Sequence, residues 1–350
     1  MNNFLKLSAA DEQFKTRLCY TLVVDIIGEM ERELFEIKAI RFLNNFTWKQ
    51  GKRLRPLIFL LSNLSIRSAH HKPLQTGGRE SKLASAIELL HEASLIHDDI
   101  VDKSDIRRGA PTLQMSQGEG LSLLIGDYMI FQGLKLILDS AESRDDILLA
   151  RELMSTGLQI AHGEAEQLDR YLNRNKVENR MHIDTYIGII AKKTAAFFAG
   201  CADAGTALAN ASNEHREIYR EFGMNLGLVF QMLDDLMDIL GDEHCAQKTL
   251  KNNLHEGTIT LPAIHAWTLF PDSEPLKKLA ACIQLSNNEQ QELYGIFNHA
   301  SVISSCKETI KHYIEKADHY LSMMPKNIYT FGLSDLFDYI KYCPWGGMKW

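Results

Sequence analysis

The chain has 350 residues, of which 45% are apolar and 24% are charged. This length and apolar content allow a large buried core, which excludes a disordered chain. The 45 acidic residues outnumber the 38 basic residues, giving a net charge of −7. This balance argues against a nucleic-acid coat or a general binder of anionic membranes.

Two further features concern the cellular compartment. No apolar run approaches the roughly 20 residues that a membrane span needs, and the N-terminus has no signal-peptide core. The six cysteines are widely scattered, with no pair at the spacing of a metal finger or a redox motif. We therefore expect a reduced, cytoplasmic protein without a transmembrane segment.

Helical periodicity runs along nearly the whole chain. Leu83, Ile87 and Leu90 recur at helical spacing, and apolar residues between Phe222 and Leu240 do the same. Alternating runs of β-branched residues are almost absent, so no sheet is expected. Polar stretches predict connections at 67–82, 139–146, 203–215, 241–257 and 271–275. The sequence therefore predicts an all-α fold.

Two pairs of aspartates stand out because they lie within apolar helical runs. Asp98 and Asp102 are four residues apart, as are Asp234 and Asp238, so each pair shares one helix face. A solvated helix face is the ordinary explanation of such a pair. Repulsion between like charges and apolar neighbours instead favour a bound cation. Oxygen ligands without nearby cysteine or histidine pairs indicate magnesium or manganese, together with a polyphosphate substrate.

Basic residues accompany both acidic motifs. Lys52, Arg53 and Arg55 lie in a short turn before an apolar helix, and two arginines follow the first motif at 107–108. Lys193 lies on an apolar stripe beside Thr194. Taken alone, a basic turn or an arginine pair most often lies on an ordinary surface, and a lone lysine on an apolar face usually snorkels. Together they suit an anion that is itself bound to metal.

These motifs resemble those of the trans (E)-isoprenyl diphosphate synthases, which include farnesyl, geranylgeranyl and polyprenyl diphosphate synthases. The similarity runs from about Gly51 to about Trp267. It rests on GKRLRP, ELLHEASLIHDDIVDKSDIRRGAPT, GDYMI, KKTAAFF, QMLDDLMDI and EGTITLPAIHA, in that order. The resemblance implies one prenyltransferase domain over residues 1–350, a helical bundle with a central apolar cavity. Its motif core is 51–267, and its C-terminal helices are 276–342.

The resemblance also implies roles for individual residues. Three magnesium ions, or manganese ions in their place, would be held by six aspartates: Asp98, Asp99, Asp102, Asp234, Asp235 and Asp238. The allylic diphosphate would contact Arg107, Lys193, Thr194, Gln231 and Lys248. Isopentenyl diphosphate would contact Lys52, Arg55, His91 and Arg108. Of these, Asp98, Asp102, Asp234, Lys193 and Arg107 would be catalytic, and the protein would be a homodimer.

The implied reaction is ionisation of the allylic diphosphate, attack by isopentenyl diphosphate and loss of a proton to the released diphosphate. Two positions depart from the family pattern. Thr258 stands where many relatives have lysine, and Asn253 stands where they have aspartate.

Product length is expected to depend on the residues just before Asp98. Ala93 and Ser94 are small, where bulky aromatic residues stop elongation early in the family. Gly223 and Gly227 lie on the helix face of the second motif, and we expect them to leave further room. The expected product is therefore long, from hexaprenyl to octaprenyl diphosphate.

Three other functions stay open at this point. A farnesyl or geranylgeranyl diphosphate synthase would use the same motifs. A class I terpene cyclase shares the first aspartate motif but has no need of an isopentenyl diphosphate site. A regulatory subunit of a heteromeric synthase tends to lose aspartates, whereas all six are present here.

Overall fold

The computed structural model describes residues 14–37, 51–70, 78–107, 110–172, 182–240, 260–280, 283 and 285–342. Most of these residues are helical, as the periodicity predicts. The helices of the first half are α1 (Leu18–Thr21), α2 (Val24–Ile37), α3 (Leu54–Ala69), α4 (Arg79–Val101), α5 (Leu113–Gln117), α6 (Glu119–Asp139) and α7 (Arg144–Leu172). Those of the second half are α8 (Ile183–Ile190), α9 (Ala196–Leu208), α10 (Asn213–Leu240), α11 (Leu261–Leu269), α12 (Glu274–Ala280), α13 (Asn287–Phe297), α14 (Ala300–Met323) and α15 (Ile328–Tyr342).

Two short elements were not expected from the sequence. A two-stranded antiparallel hairpin, β1 (Ile106–Arg107) and β2 (Ala110–Pro111), follows the first aspartate motif. The expectation that the chain has no sheet was therefore wrong at this point. A single π-helical turn, Ala191–Ala195, lies between α8 and α9. Such turns occur often at functional sites.

The chain divides into two compact units. Unit 1 comprises Met1–Ser155, Gly200–Tyr219 and Met324–Leu336. Unit 2 comprises Thr156–Ala199, Arg220–Met323 and Phe337–Trp350. The prediction of a single domain over residues 1–350 stays a prediction.

Unit 1 is built around α3 and α4. Every residue of α3 from Pro56 to Ile66 is buried, because apolar side chains cover most of the helix surface and such a helix lies inside the protein. Helix α4 packs against α2, α3 and α6. In unit 2, α11 packs against α8, α13 and α14.

The predicted connections are broadly right but too long. Helix α3 continues to Ala69 and α4 begins at Arg79, so both reach into the predicted connection at 67–82. Helix α9 continues to Leu208, six residues into the connection predicted at 203–215. Polar side chains are tolerated at helix ends on the surface. The sequence pattern therefore does not distinguish such a helix end from a loop. The connection at 241–257 lies outside the described residues.

Helix α6 is more apolar than the sequence analysis expected. It has 21 residues, and the mean hydropathy of its most apolar window is 1.5, so it could cross a membrane by length and composition. The statement that no apolar run approaches a span therefore does not hold for this helix. A third of that window is buried, at 33%. Length and composition are weak evidence for a span, since core helices meet the same criterion.

Candidate active site

The first aspartate motif lies at the C-terminal end of α4. The backbone N–H of Asp102 donates to the carbonyl oxygen of Asp98 over 2.8 Å, so the helical turn continues through both residues. The two side chains are half-buried and lie one turn apart on the same helix end, as the spacing predicts. His91 lies two turns earlier on the same helix.

Asp99 lies between them but is oriented differently. It is 5% exposed, and its Oδ1 accepts a hydrogen bond from Arg107 Nε over 2.7 Å. The backbone carbonyl of Asp99 accepts from Gln114 Nε2, also over 2.7 Å. Asp99 therefore holds the strand that carries Arg107, a predicted diphosphate ligand. Arg108 lies outside the described residues.

The basic turn before α3 is anchored by a buried ion pair that no sequence pattern predicted. Arg53 is 5% exposed and has a left-handed backbone, with φ of 54°. Its guanidinium pairs with Glu88, and its Nε lies 3.8 Å from Glu31 Oε1. Burial acts to lower the pKa of Arg53, but the carboxylates of Glu88 and Glu92 outweigh it and raise that pKa.

Two predicted ligands of isopentenyl diphosphate meet beside this anchor. Arg55 Nη1 lies 3.1 Å from His91 Nε2. Because a guanidinium can only donate, Arg55 is the donor and His91 Nε2 the acceptor in this contact. Lys52 is half-buried in the same turn. The structure thus brings Lys52, Arg55 and His91 into one neighbourhood of unit 1.

In unit 2 the π-helical turn presents Lys193 and Thr194. Lys193 Nζ lies 2.9 Å from Glu164 Oε2, and Lys192 Nζ lies 2.7 Å from Glu166 Oε2. Both glutamates belong to α7. Glu164 was not predictable from the sequence, because it lies 29 residues before Lys193 and no spacing rule connects the two elements.

The second aspartate motif has the same division of exposure as the first. Asp234 is exposed and Asp238 is half-buried, whereas Asp235 is 8% exposed. Both oxygens of Asp235 accept hydrogen bonds, from Tyr186, Gln231 and the backbone of Leu261. Burial raises the pKa of Asp235, and the bonds from Tyr186 and Gln231 oppose that rise. Lys248 lies outside the described residues, as do Asn253 and Thr258.

The two small residues of the predicted chain-length pocket differ in burial. Ala93 is fully buried and Ser94 is half-buried, with its hydroxyl donating to the carbonyl of His91 over 2.8 Å. The expectation that Gly223 and Gly227 leave room was wrong. A β-carbon at Gly223 would lie 2.7 Å from the carbonyl oxygen of Phe198, and one at Gly227 would lie 2.6 Å from Ala195 Cα. These glycines serve close helix packing.

The donor set fits magnesium held jointly with a substrate. Among the described residues, no group of three or more histidine, cysteine, aspartate or glutamate side chains could hold a metal ion. Each motif instead offers two accessible carboxylates one turn apart. Magnesium usually takes one or two protein carboxylates and completes its coordination with water and substrate phosphates.

The family model described as polyprenyl synthetase matches residues 39–299, which is most of the chain. The chain belongs to the polyprenyl synthetase family. It is 31% identical over 288 residues to an all-trans-nonaprenyl-diphosphate synthase (geranyl-diphosphate specific) of Rhodobacter capsulatus, covering 82% of this chain and 83% of the relative. It is 30% identical over 281 residues to a geranylfarnesyl diphosphate synthase of Aeropyrum pernix, covering 79% and 84%.

Among solved structures, the chain is similar to a polyprenyl synthase from Caulobacter crescentus CB15 complexed with calcium and isoprenyl diphosphate. The TM-score is 0.80 at 25% identity, covering 92% of this chain and 96% of that one. Membership of this trans-prenyltransferase family confirms the resemblance and the all-α isoprenoid synthase fold. The relatives named above make products of different lengths, so membership does not determine the product of this polyprenyl synthetase.

The buried pair of Arg53 and Glu88 gives a stability prediction. Replacing Arg53 by methionine should lower the free energy of unfolding by about 3–5 kcal/mol, because Glu88 is left as an uncompensated buried charge. Replacing Glu88 by methionine as well should recover part of that loss. Urea unfolding followed by circular dichroism measures both values.

The control is the exposed pair of Lys135 and Asp139, whose side chains are 64% and 52% exposed. Lys135→Met should change stability by less than about 0.5 kcal/mol. Equal effects of Arg53→Met and Lys135→Met would show that the buried pair is not an anchor.

Proposed function

We propose that this polyprenyl synthetase condenses isopentenyl diphosphate with an allylic prenyl diphosphate to give a longer (E)-polyprenyl diphosphate, and that it requires magnesium. The observation that carries the proposal is the common arrangement of the two aspartate motifs. In each motif the first and third aspartates are at least partly accessible, and the middle one is buried and hydrogen-bonded. Cationic side chains accompany each motif within its own unit.

The ions would be held by Asp98 and Asp102 in one motif and by Asp234 and Asp238 in the other. When bound, they supply positive charge that offsets the negative charge growing on the leaving diphosphate. Manganese would satisfy the same oxygen donors.

The chain's own residues bind and orient the two substrates. Lys193, Thr194, Gln231 and Arg107 would contact the allylic diphosphate, and Lys52, Arg55 and His91 would contact isopentenyl diphosphate. Lys193 and Arg107 are already paired with carboxylates, which holds their charged groups in place before substrate binds. Buried apolar residues such as Phe197 and Leu233 exclude water, which would otherwise quench the allylic cation. The proton lost after attack goes to the released diphosphate.

The direct test is condensation by the purified chain with magnesium, isopentenyl diphosphate and farnesyl diphosphate. We expect both substrates to be consumed, chelation by EDTA to stop turnover, and excess magnesium to restore it. Asp98→Ala and Asp234→Ala should each lower kcat by roughly 100-fold or more, since each removes charge that is needed as the diphosphate leaves.

Asp145→Ala is the matched control, because Asp145 is an exposed aspartate in the first turn of α7. It should leave turnover unchanged. Cyclised hydrocarbon formed from the allylic substrate alone would instead identify a terpene cyclase. If the purified chain consumed neither substrate, it would be identified as a subunit that needs a partner. Full turnover by both aspartate variants would contradict the proposal.

We further propose a long product, from hexaprenyl to octaprenyl diphosphate. The proposal of a long product has less support than the sequence suggested, because Gly223 and Gly227 add no space to the chain-length pocket. Ala93 and Ser94 alone carry the argument, as small side chains in α4 just ahead of the first motif.

Ser94→Phe should shorten the product by one or more isoprene units, because an aromatic ring would end the pocket early. Leu95→Phe is the matched control, since Leu95 is the next residue of the same helix and is also half-buried. Reversed-phase chromatography of the dephosphorylated products gives the lengths. Identical product lengths in the wild type and Ser94→Phe would remove Ser94 from the pocket.

A homodimer is proposed from the exposed apolar face of α6. Leu124, Tyr128, Phe131 and Leu138 follow one face of this helix and are 37% to 70% exposed. A membrane surface is the weaker candidate occupant, because helices that lie on membranes are rich in lysine and arginine. Helix α6 carries Glu119, Asp127 and Asp139 against a single lysine. A second copy of this chain is therefore the proposed occupant.

Phe131→Glu should convert the dimer to a monomer, because it buries a charge in the proposed contact. Phe35→Glu is the matched control, since Phe35 is also 70% exposed but lies on α2. Sedimentation equilibrium measures the mass against the 39.7 kDa of one chain. A wild-type protein that sediments as a monomer would contradict this proposal.

A reduced, cytoplasmic location is also proposed. The described cysteines Cys19, Cys201 and Cys306 are buried, free thiols. Burial raises the pKa of Cys306 to about 12, so this thiol stays protonated and unreactive near neutral pH.

A further inference from the structure

The carboxylate of Asp235 is the junction of three helices in unit 2. Its Oδ2 accepts from the Tyr186 hydroxyl of α8 over 2.7 Å and from the Leu261 backbone N–H of α11 over 3.1 Å. Its Oδ1 accepts from Gln231 Nε2, one turn earlier on α10, over 2.9 Å. Three donors therefore share one carboxylate that is 8% exposed.

The hydrogen bond from the Leu261 N–H to Asp235 takes the place of the side-chain cap that α11 lacks. Thr260 precedes this helix in the N-cap position, but its side chain makes no capping hydrogen bond. The first N–H groups of a helix need acceptors from outside the helix, and a negative charge is favourable at that end. Asp235 provides both, and so ties the start of α11 to α10.

The bond to Gln231 fixes the orientation of its amide. Thr194 Oγ1 donates to Gln231 Oε1 over 2.8 Å, while Gln231 Nε2 donates to Asp235. The amide therefore cannot flip without losing both bonds. Thr194, Gln231, Asp235 and Tyr186 form a continuous chain of hydrogen bonds, and its first two members are proposed to contact the allylic diphosphate.

The position of Asp235 also determines the rotation of α10. At 100° per residue, Asp234 and Asp238 lie about 100° and 60° away from Asp235 around the helix. Holding Asp235 inward therefore keeps Asp234 exposed and Asp238 half-buried. Tyr186, on another helix, is 2% exposed and donates its hydroxyl hydrogen bond to Asp235.

We propose that Tyr186 and Asp235 are positioning residues of the second aspartate motif, and that Asp235 does not ligate metal. Together they orient Gln231 and Thr194 toward the diphosphate and hold Asp234 and Asp238 outward. This assignment replaces the metal-ligand role that the family resemblance implied for Asp235. It rests on the proposed function and names two residues that prepare the same site.

The test compares Tyr186→Phe, Asp235→Asn and the double variant with the wild type. Isothermal titration calorimetry measures the binding of inorganic diphosphate in saturating magnesium, and steady-state kinetics measures kcat/KM for the allylic substrate. We expect Tyr186→Phe to weaken both by about tenfold, the effect of losing one hydrogen bond to a charged group. The number of magnesium ions bound should not change. The double variant should bind diphosphate no more weakly than the weaker-binding of the two single variants, because the two residues act through one another.

Tyr219→Phe is the matched control for folding. Tyr219 is fully buried, and its hydroxyl bonds Ser65 over 2.6 Å within unit 1. Both tyrosine variants therefore lose a buried hydroxyl group and its hydrogen bonding. Both should melt below the wild type, whereas only Tyr186→Phe should weaken diphosphate binding.

Three results would overturn the inference. Tyr186→Phe could bind diphosphate as tightly as Tyr219→Phe, which would leave Tyr186 a purely structural role. Asp235→Asn could lose a magnesium ion that Tyr186→Phe keeps, which would make Asp235 a metal ligand. The two single effects could also add, which would mean that the residues act independently.

The calorimetry separates this inference from the proposed function. A wild-type chain that binds magnesium diphosphate but forms no prenyl product would contradict the proposed function. The diphosphate-binding measurements alone would then decide the inference about the site. A wild-type chain that binds no magnesium diphosphate would contradict both.

Discussion

A charged group inside an apolar helix bundle must find a partner, and this requirement organises the candidate active site. The free-energy cost of burying an unpaired charge is larger than the stabilisation that helix packing provides. Arg53 therefore pairs with Glu88, Asp99 with Arg107, and Lys193 with Glu164. Each pair joins two elements of one unit. Arg107 and Lys193, which are proposed to bind substrate, are 36% and 22% exposed, and these ion pairs hold their charged groups in place.

The same requirement explains why the two aspartate motifs share one arrangement. Both middle aspartates are turned inward and bonded to protein donors, whereas the flanking aspartates are exposed or half-buried. An inward carboxylate fixes the rotation of its helix, and that rotation decides which neighbouring carboxylates reach solvent. The donors differ, an arginine on a β-strand in one unit and a tyrosine, a glutamine and a backbone N–H in the other.

Contacts within one helix were predictable, and contacts between helices were not. The i, i+4 spacing of Asp98 and Asp102, and the placement of His91 before them, needed only helical geometry. Glu88 and Glu92 did carry a signal, because two acidic residues at i, i+4 inside an apolar run require a buried cation. That signal did not identify Arg53, which lies 35 residues from Glu88. The same limit explains the error at Gly223 and Gly227. A small residue leaves either a cavity or a close contact, and only the neighbouring helix decides between them.

The amino-acid sequence by itself determined the helical class, the aspartate spacing and the family. These follow from periodicity and from motifs that are local along the chain. Only the tertiary structure decided that Asp235 bonds Tyr186, that Glu164 holds Lys193, and that a π-helical turn presents Thr194 to Gln231. These pairings depend on which helix faces meet. That choice is made by packing the whole apolar core at once, so no local pattern encodes it.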